Sequence, residues 1–140
     1  LLNYIGAVIA HQTVVPKYNA YDTVFICPQD NKTILEGSTF SVFFVLKGGE
    51  IVTPPMDGRI LDSVTRRVIL ELLRPGSDIT VTEEPVSLDQ FQDFQEAFLA
   101  STTRNVLPMV KLDDRVVGSG KPGPVTKKVM NILNEYVRNY

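Results

Sequence analysis

Glu36 follows the apolar pair Ile34 and Leu35 and precedes Gly37-Ser38-Thr39, the turn into Phe40–Leu46, the most apolar run of the chain. A carboxylate beside a core needs a cation or hydrogen-bond donors to offset its desolvation, and no basic residue stands next to this one in sequence. Either Glu36 is a strand-end glutamate that reaches solvent, or a ligand supplies the positive charge. Two further segments bear on that choice. Leu61-Asp62-Ser63-Val64-Thr65 opens a helical pattern, and Ser101-Thr102-Thr103 follows a strand pattern. Both read as ordinary caps, yet both could also aim backbone N–H groups and hydroxyls at one anion. Together the three segments suit a small ligand with a phosphate at one end and a cationic ring at the other.

The other reactive side chains argue for less. Cys27, the single cysteine, ends the apolar run Thr23–Cys27 and reads as a small buried strand residue. One cysteine builds no disulfide framework, which suits a reducing, cytoplasmic setting. His11 is the one histidine and has no second His or Cys to complete a metal site. With 140 residues, 44% hydrophobic and 21% charged, the chain has the composition of one globular domain. A net charge of -2 with scattered Lys and Arg gives no basic stripe for nucleic acid and no polybasic run for a membrane. The opening LLNYIGAVIAHQTVV is apolar over a stretch well short of the about 20 residues that span a bilayer.

Periodicity supplies the elements that must position these groups. Leu2, Ile5, Ile9 and Thr13 share one helix face, and Pro16 is expected to end that helix. Strands are predicted at Tyr21–Pro28 and Thr33–Glu36 around a polar turn at 29–32, then at Phe40–Leu46 and Glu50–Thr53 around Gly48-Gly49, forming an antiparallel meander. A helix capped by Asp62 or Ser63 presents the stripe Val64, Val68, Leu72 with Ile69 and Leu73, and stops at Pro75-Gly76. Thr80–Glu84 reads as a strand, Ser87 caps a short helix, and Glu96–Ala100 is a further strand. A hairpin turning at Asp113-Asp114 precedes a final helix striped by Val125, Val129, Ile132 and Tyr136. The fold class is α+β: a largely antiparallel, barrel-like sheet domain with packed helices.

Three separated segments carry a resemblance: LEGSTFSVFFV (35–45), TPPMDGRILDSVTRRVILEL (53–72) and FLASTTRNVLPMVKLDDRVVGSGKPGPVTKKV (98–129). In this order and spacing they resemble the cofactor-binding domain of the class IV (fold type IV) pyridoxal-phosphate aminotransferases. That family includes D-amino-acid and branched-chain aminotransferases and aminodeoxychorismate lyase. The resemblance implies that residues 1–140 form the larger, C-terminal domain. It also implies that a smaller N-terminal domain and the catalytic lysine lie upstream of Leu1. Glu36 would keep the pyridine nitrogen protonated, Leu61 would pack on the ring, and Ser38 would line its edge. Val64 and Thr65 N–H groups, with Thr102, would bind the phosphate. Thr102 and Thr103 would present N–H groups to the substrate carboxylate.

None of Lys17, Lys32, Lys47, Lys111, Lys121, Lys127 and Lys128 matches the family's lysine motif, so no catalytic residue is assigned within the chain. Three positions depart from the family pattern: Ser63 stands where glycine is usual, Ser41 where many members carry asparagine, and Arg104 where smaller or acidic residues are common. Arg104 either reads a substrate carboxylate or makes a surface salt bridge. The implied function is transamination between an amino acid and a 2-oxo acid, by a homodimer or higher homo-oligomer. The D-amino-acid type comes first and the branched-chain type close behind. Alternatives are a lyase releasing pyruvate from aminodeoxychorismate, or a non-catalytic cofactor-binding module.

Overall fold

The computed structural model describes residues 4–140. The elements run α1 (Ile5–Tyr18), β1 (Val24–Ile26), β2 (Thr33–Gly37), β3 (Ser41–Leu46), β4 (Ile51–Thr53), α2 (Val64–Leu72), β5 (Val81–Glu83) and β6 (Val86–Ser87). A 3₁₀ helix (Leu88–Asp93) follows, then β7 (Phe94–Ser101), β8 (Asn105–Pro108), β9 (Lys111–Leu112), β10 (Arg115–Val116) and α3 (Pro124–Asn139).

The centre is a five-stranded sheet in the order β5-β4-β3-β7-β8. β3 is buried along nearly its whole length because both of its faces meet a core. Val42 and Phe44 point to one side and Phe43 and Val45 to the other, as strand alternation requires. On the first side they pack with Phe94 and Leu99 against a smaller sheet, β1-β2-β6, and against Phe91 of the 3₁₀ helix. On the second side Phe43 stacks on Phe98, its cross-strand partner in β7, with ring centroids 4.9 Å apart, and α2 and α3 close over them through Ile69, Leu73, Val129 and Leu133. The architecture is α+β, a sheet between a helical layer and a second small sheet, and the described strands do not close into a barrel.

Several expectations are revised. β2 pairs with β1 and β6 and not with β3, so the proposed meander divides between two sheets. One pair is parallel: β4 and β5 are joined through α2, a crossover that brings the chain back in the same direction. Pro16 sits inside α1, which runs on to Tyr18 and ends at Asn19 in the left-handed conformation, φ 50°. Leu2, on the proposed helix face, lies outside the described residues. Pro75-Gly76, by contrast, follows the end of α2 as expected: the last helical residue is Leu72, the C-cap is Leu73, and Pro75 cannot continue the helix. The stripe of α2 is rotated from the expected one, with Thr65, Arg66, Ile69 and Leu73 buried and Val64 63% exposed. In α3 the buried line is Thr126, Val129 and Leu133, with Val125, Ile132 and Tyr136 at its margins. The Ser87 cap is as read, and Gln90 returns the bond to the Ser87 backbone to complete a capping box.

Candidate functional site

Strand register gathers the three candidate segments at one end of the central sheet. Ser41 of β3 pairs with Ala100 of β7, and the Thr53 hydroxyl at the end of β4 donates to the Val42 carbonyl at 2.7 Å. The Glu36 turn enters β3 at this end, the Leu61–Thr65 segment leaves β4 here, and the Thr102–Thr103 turn leaves β7 here.

Glu36 is half-buried, and its Oε2 accepts one hydrogen bond, from the Leu61 backbone N–H at 3.0 Å. Burial raises its carboxyl pKa above the ordinary value, and the Leu61 N–H offsets only part of that. Its position depends on Gly37, whose N–H donates to the Phe40 carbonyl at 2.8 Å. A Cβ on Gly37 would stand 2.1 Å from the Phe40 ring, so this tight turn excludes any larger residue without displacing the aromatic.

The bond to Leu61 joins the Glu36 turn to the start of α2. Ser63 is the N-cap: its hydroxyl oxygen accepts the Arg66 N–H at 3.4 Å, and its carbonyl accepts the Arg67 N–H at 3.0 Å. The serine that departs from the family pattern therefore caps the helix. Val64 and Thr65 N–H groups find no acceptor among the described residues, which leaves two donors at the positive end of the helix dipole. The Leu61 side chain is 57% exposed, an open apolar surface beside Glu36. Beneath the helix, sequence reasoning missed Arg66, which is 1% exposed and donates to the Pro54 carbonyl at 2.8 Å and to the Glu83 carboxylate. It clamps the first turn of α2 to the ends of β4 and β5; its polarity hid it, because apolar periodicity does not register a buried arginine.

Thr102 and Thr103 are exposed in the turn after β7. The Ser38 hydroxyl is committed to Asp22, donating to Oδ1 at 2.5 Å. Arg104 makes a salt bridge, with Asp22 at 3.1 Å, but not at the surface as expected: the two side chains are largely buried. Asp22 itself carried no sequence signal. Burial works against its ionisation, but the Ser38 hydroxyl, the Thr23 N–H and Arg104 outweigh that and hold the carboxyl below the ordinary range. A cleft of about 570 Å³ opens between α1, including His11 and Gln12, and the Asp22, Ser38, Thr103 and Arg104 surface; Glu36, Leu61, Val64 and Thr65 do not line it. All seven lysines are exposed. Among the described residues no three His, Cys, Asp or Glu side chains gather as a metal site.

The chemistry of this end of the sheet is specific. A carboxylate whose ionised form is penalised by burial favours a cation or a protonated ring nitrogen, and two free N–H groups at a helix start favour a phosphate. An exposed leucine between them offers a face to a flat ring. These residues fit pyridoxal phosphate.

The model of the family described as amino-transferase class IV matches residues 1–112. The D-alanine aminotransferase of Staphylococcus haemolyticus is 34% identical over 138 residues, covering 99% of this chain and 47% of that protein. A probable branched-chain-amino-acid aminotransferase of Aquifex aeolicus is 32% identical over 105 residues, covering 75% of this chain and 33% of its own length. Among solved structures, the branched-chain amino acid aminotransferase of Thermobaculum terrenum in its PLP form superimposes with a TM-score of 0.88 at 29% identity, over 99% of this chain and 44% of that one. The fold is that of the fold type IV aminotransferases. The chain belongs to the class IV aminotransferase family. It spans about half the length of the curated relatives it matches.

Proposed function

We propose that this chain is the cofactor-holding part of a pyridoxal-phosphate-dependent aminotransferase that moves an amino group between an amino acid and a 2-oxo acid. The carrying observation is the hydrogen bond between Glu36 and the Leu61 N–H, which places a half-buried carboxylate beside the helix start whose Val64 and Thr65 N–H groups find no acceptor among the described residues. The bound cofactor supplies an electron sink for the substrate α-carbon. Glu36 holds a proton at the ring nitrogen, which keeps that sink effective and gives the carboxylate its missing counter-charge. Leu61 supports the ring face. Val64 and Thr65 N–H groups and the Thr102 hydroxyl bind the phosphate, and the Thr102–Thr103 turn presents N–H groups to the substrate carboxylate. The lysine that attaches the cofactor and carries the α-proton matches none of the lysines in this chain and is expected in the other half of the protein, which would act as a cytoplasmic homodimer or higher homo-oligomer.

D-amino acids are the first choice of substrate, supported by the D-alanine aminotransferase relatives along nearly the whole chain. Branched-chain L-amino acids are the second reading, supported by the Aquifex relative and by the similarity to the Thermobaculum structure. Incubation of the full-length protein, lysine-bearing segment included, with 2-oxoglutarate and either D-alanine or L-leucine separates them. Pyruvate formed from D-alanine at least tenfold faster than 2-oxo acid from L-leucine is the expected result, the reverse ratio selects the branched-chain type, and no product from either donor rejects both readings.

A further inference from the structure

We propose that Arg104 is a positioning residue that, with Asp22, ties the turn carrying Thr102 and Thr103 to the turn carrying Glu36 and so fixes the spacing of the two sides of the site. The inference rests on the cofactor reading above.

The β3–β7 ladder ends at the pair Ser41 and Ala100, so residues 37–40 and 102–104 overhang it and are not held to each other by sheet hydrogen bonds. Arg104 spans that gap. Nη1 donates to Asp22 Oδ2 at 3.1 Å and Nη2 to the Thr39 hydroxyl oxygen at 2.7 Å. Asp22 Oδ1 in turn accepts the Ser38 hydroxyl at 2.5 Å and the Thr23 N–H at 2.8 Å, and the Ser38 N–H donates to the Thr23 carbonyl at 3.1 Å. The guanidinium also lies over Phe40 and Tyr21, 5.2 and 5.8 Å from the ring centroids. With side chains only 21% and 10% exposed, Arg104 and Asp22 escape much of the screening that weakens surface pairs. A planar fork is required to reach both acceptors at once, which a lysine ammonium does not reproduce. Thr103 is the chain neighbour of Arg104, and Thr39 lies three residues beyond Glu36. Slack in this tie becomes misplacement of the groups on either side of the ligand, and errors of about 1 Å in such placement cost on the order of 100-fold in rate.

The test combines amide hydrogen exchange with titration of pyridoxal phosphate in the unmodified protein and in Arg104→Met, Arg104→Lys, Asp22→Asn and the double variant Asp22→Asn/Arg104→Met. Arg104→Met is expected to speed exchange at the Ser38 amide, and Asp22→Asn at the amide of residue 104, each at least tenfold. Both are expected to weaken pyridoxal phosphate binding at least tenfold, with the double variant no worse than either single change and Arg104→Lys recovering only part. Unchanged exchange at the opposite turn overturns the tie. Lowered thermal stability with unchanged affinity overturns the positioning role and leaves Arg104 as support for the fold. If the unmodified protein binds no pyridoxal phosphate, the cofactor reading fails by itself, while the exchange data still decide whether the turns are joined.

Discussion

Glu36 is built to be uncomfortable alone. Its carboxyl pKa is raised by burial, which the Leu61 N–H only partly counters, so the sign of its effect on stability follows directly. Its contribution is fully present below the ordinary value of 4.5 and is lost as pH rises through the higher folded value. In the cofactor-free protein, Glu36→Gln is expected to remove that loss. Urea midpoints measured across pH 4 to 8 should fall less for the variant than for the unmodified protein, and parallel curves would show that Glu36 carries no such cost. The oddity was legible in sequence as a carboxylate between an apolar pair and a turn. Its partner was not, because the Leu61 N–H lies 25 residues away and backbone donors leave no mark in composition. Arg104 was singled out in sequence, but its partner Asp22, 82 positions away, escaped for the same reason.

Elements were readable where their determinants are local. Ser87 was read as a cap, and the cap of α2 was narrowed to Asp62 or Ser63, of which it is Ser63, because the capping residue sits within a few positions of the amides it serves. The start of α3 was not. Gly123 is its N-cap and offers no side chain, so the task falls to Glu96 of β7, whose two oxygens accept the Val125 N–H at 3.0 Å and the Thr126 N–H at 2.6 Å. A Cβ on residue 123 would sit 2.1 Å from the Glu96 carboxyl carbon, which explains the glycine. In sequence Glu96 is only the first residue of the expected strand Glu96–Ala100, with nothing to announce that it is buried and caps a helix. Glu96→Ala is expected to cost about 2 kcal/mol, the scale of hydrogen bonds to a charged group left unmade, as measured by denaturant unfolding. A cost below about 0.5 kcal/mol would mean that solvent caps α3 equally well.

At the scale of the whole molecule, the fold class and the existence of nearly every element were legible from periodicity, while the division into two sheets was not. Which strand lies beside β3 is decided by contacts with β7, some 55 residues further on, and no pattern within β2 or β3 declares them. What the apolar run Phe40–Leu46 did mark is a strand buried on both faces, and that feature organises the molecule: one core on each side, with the candidate site at the end where the chain enters β3 and leaves β4 and β7. The central claim is that this end grips a ligand by a protonated ring and a phosphate together. The most direct measurement is equilibrium titration of pyridoxal phosphate into the unmodified protein and into Glu36→Gln, with pyridoxal, which lacks the phosphate, titrated alongside. Saturable binding of pyridoxal phosphate, weakened at least tenfold both by Glu36→Gln and by omission of the phosphate, is the predicted result. Binding that ignores both changes would contradict the account.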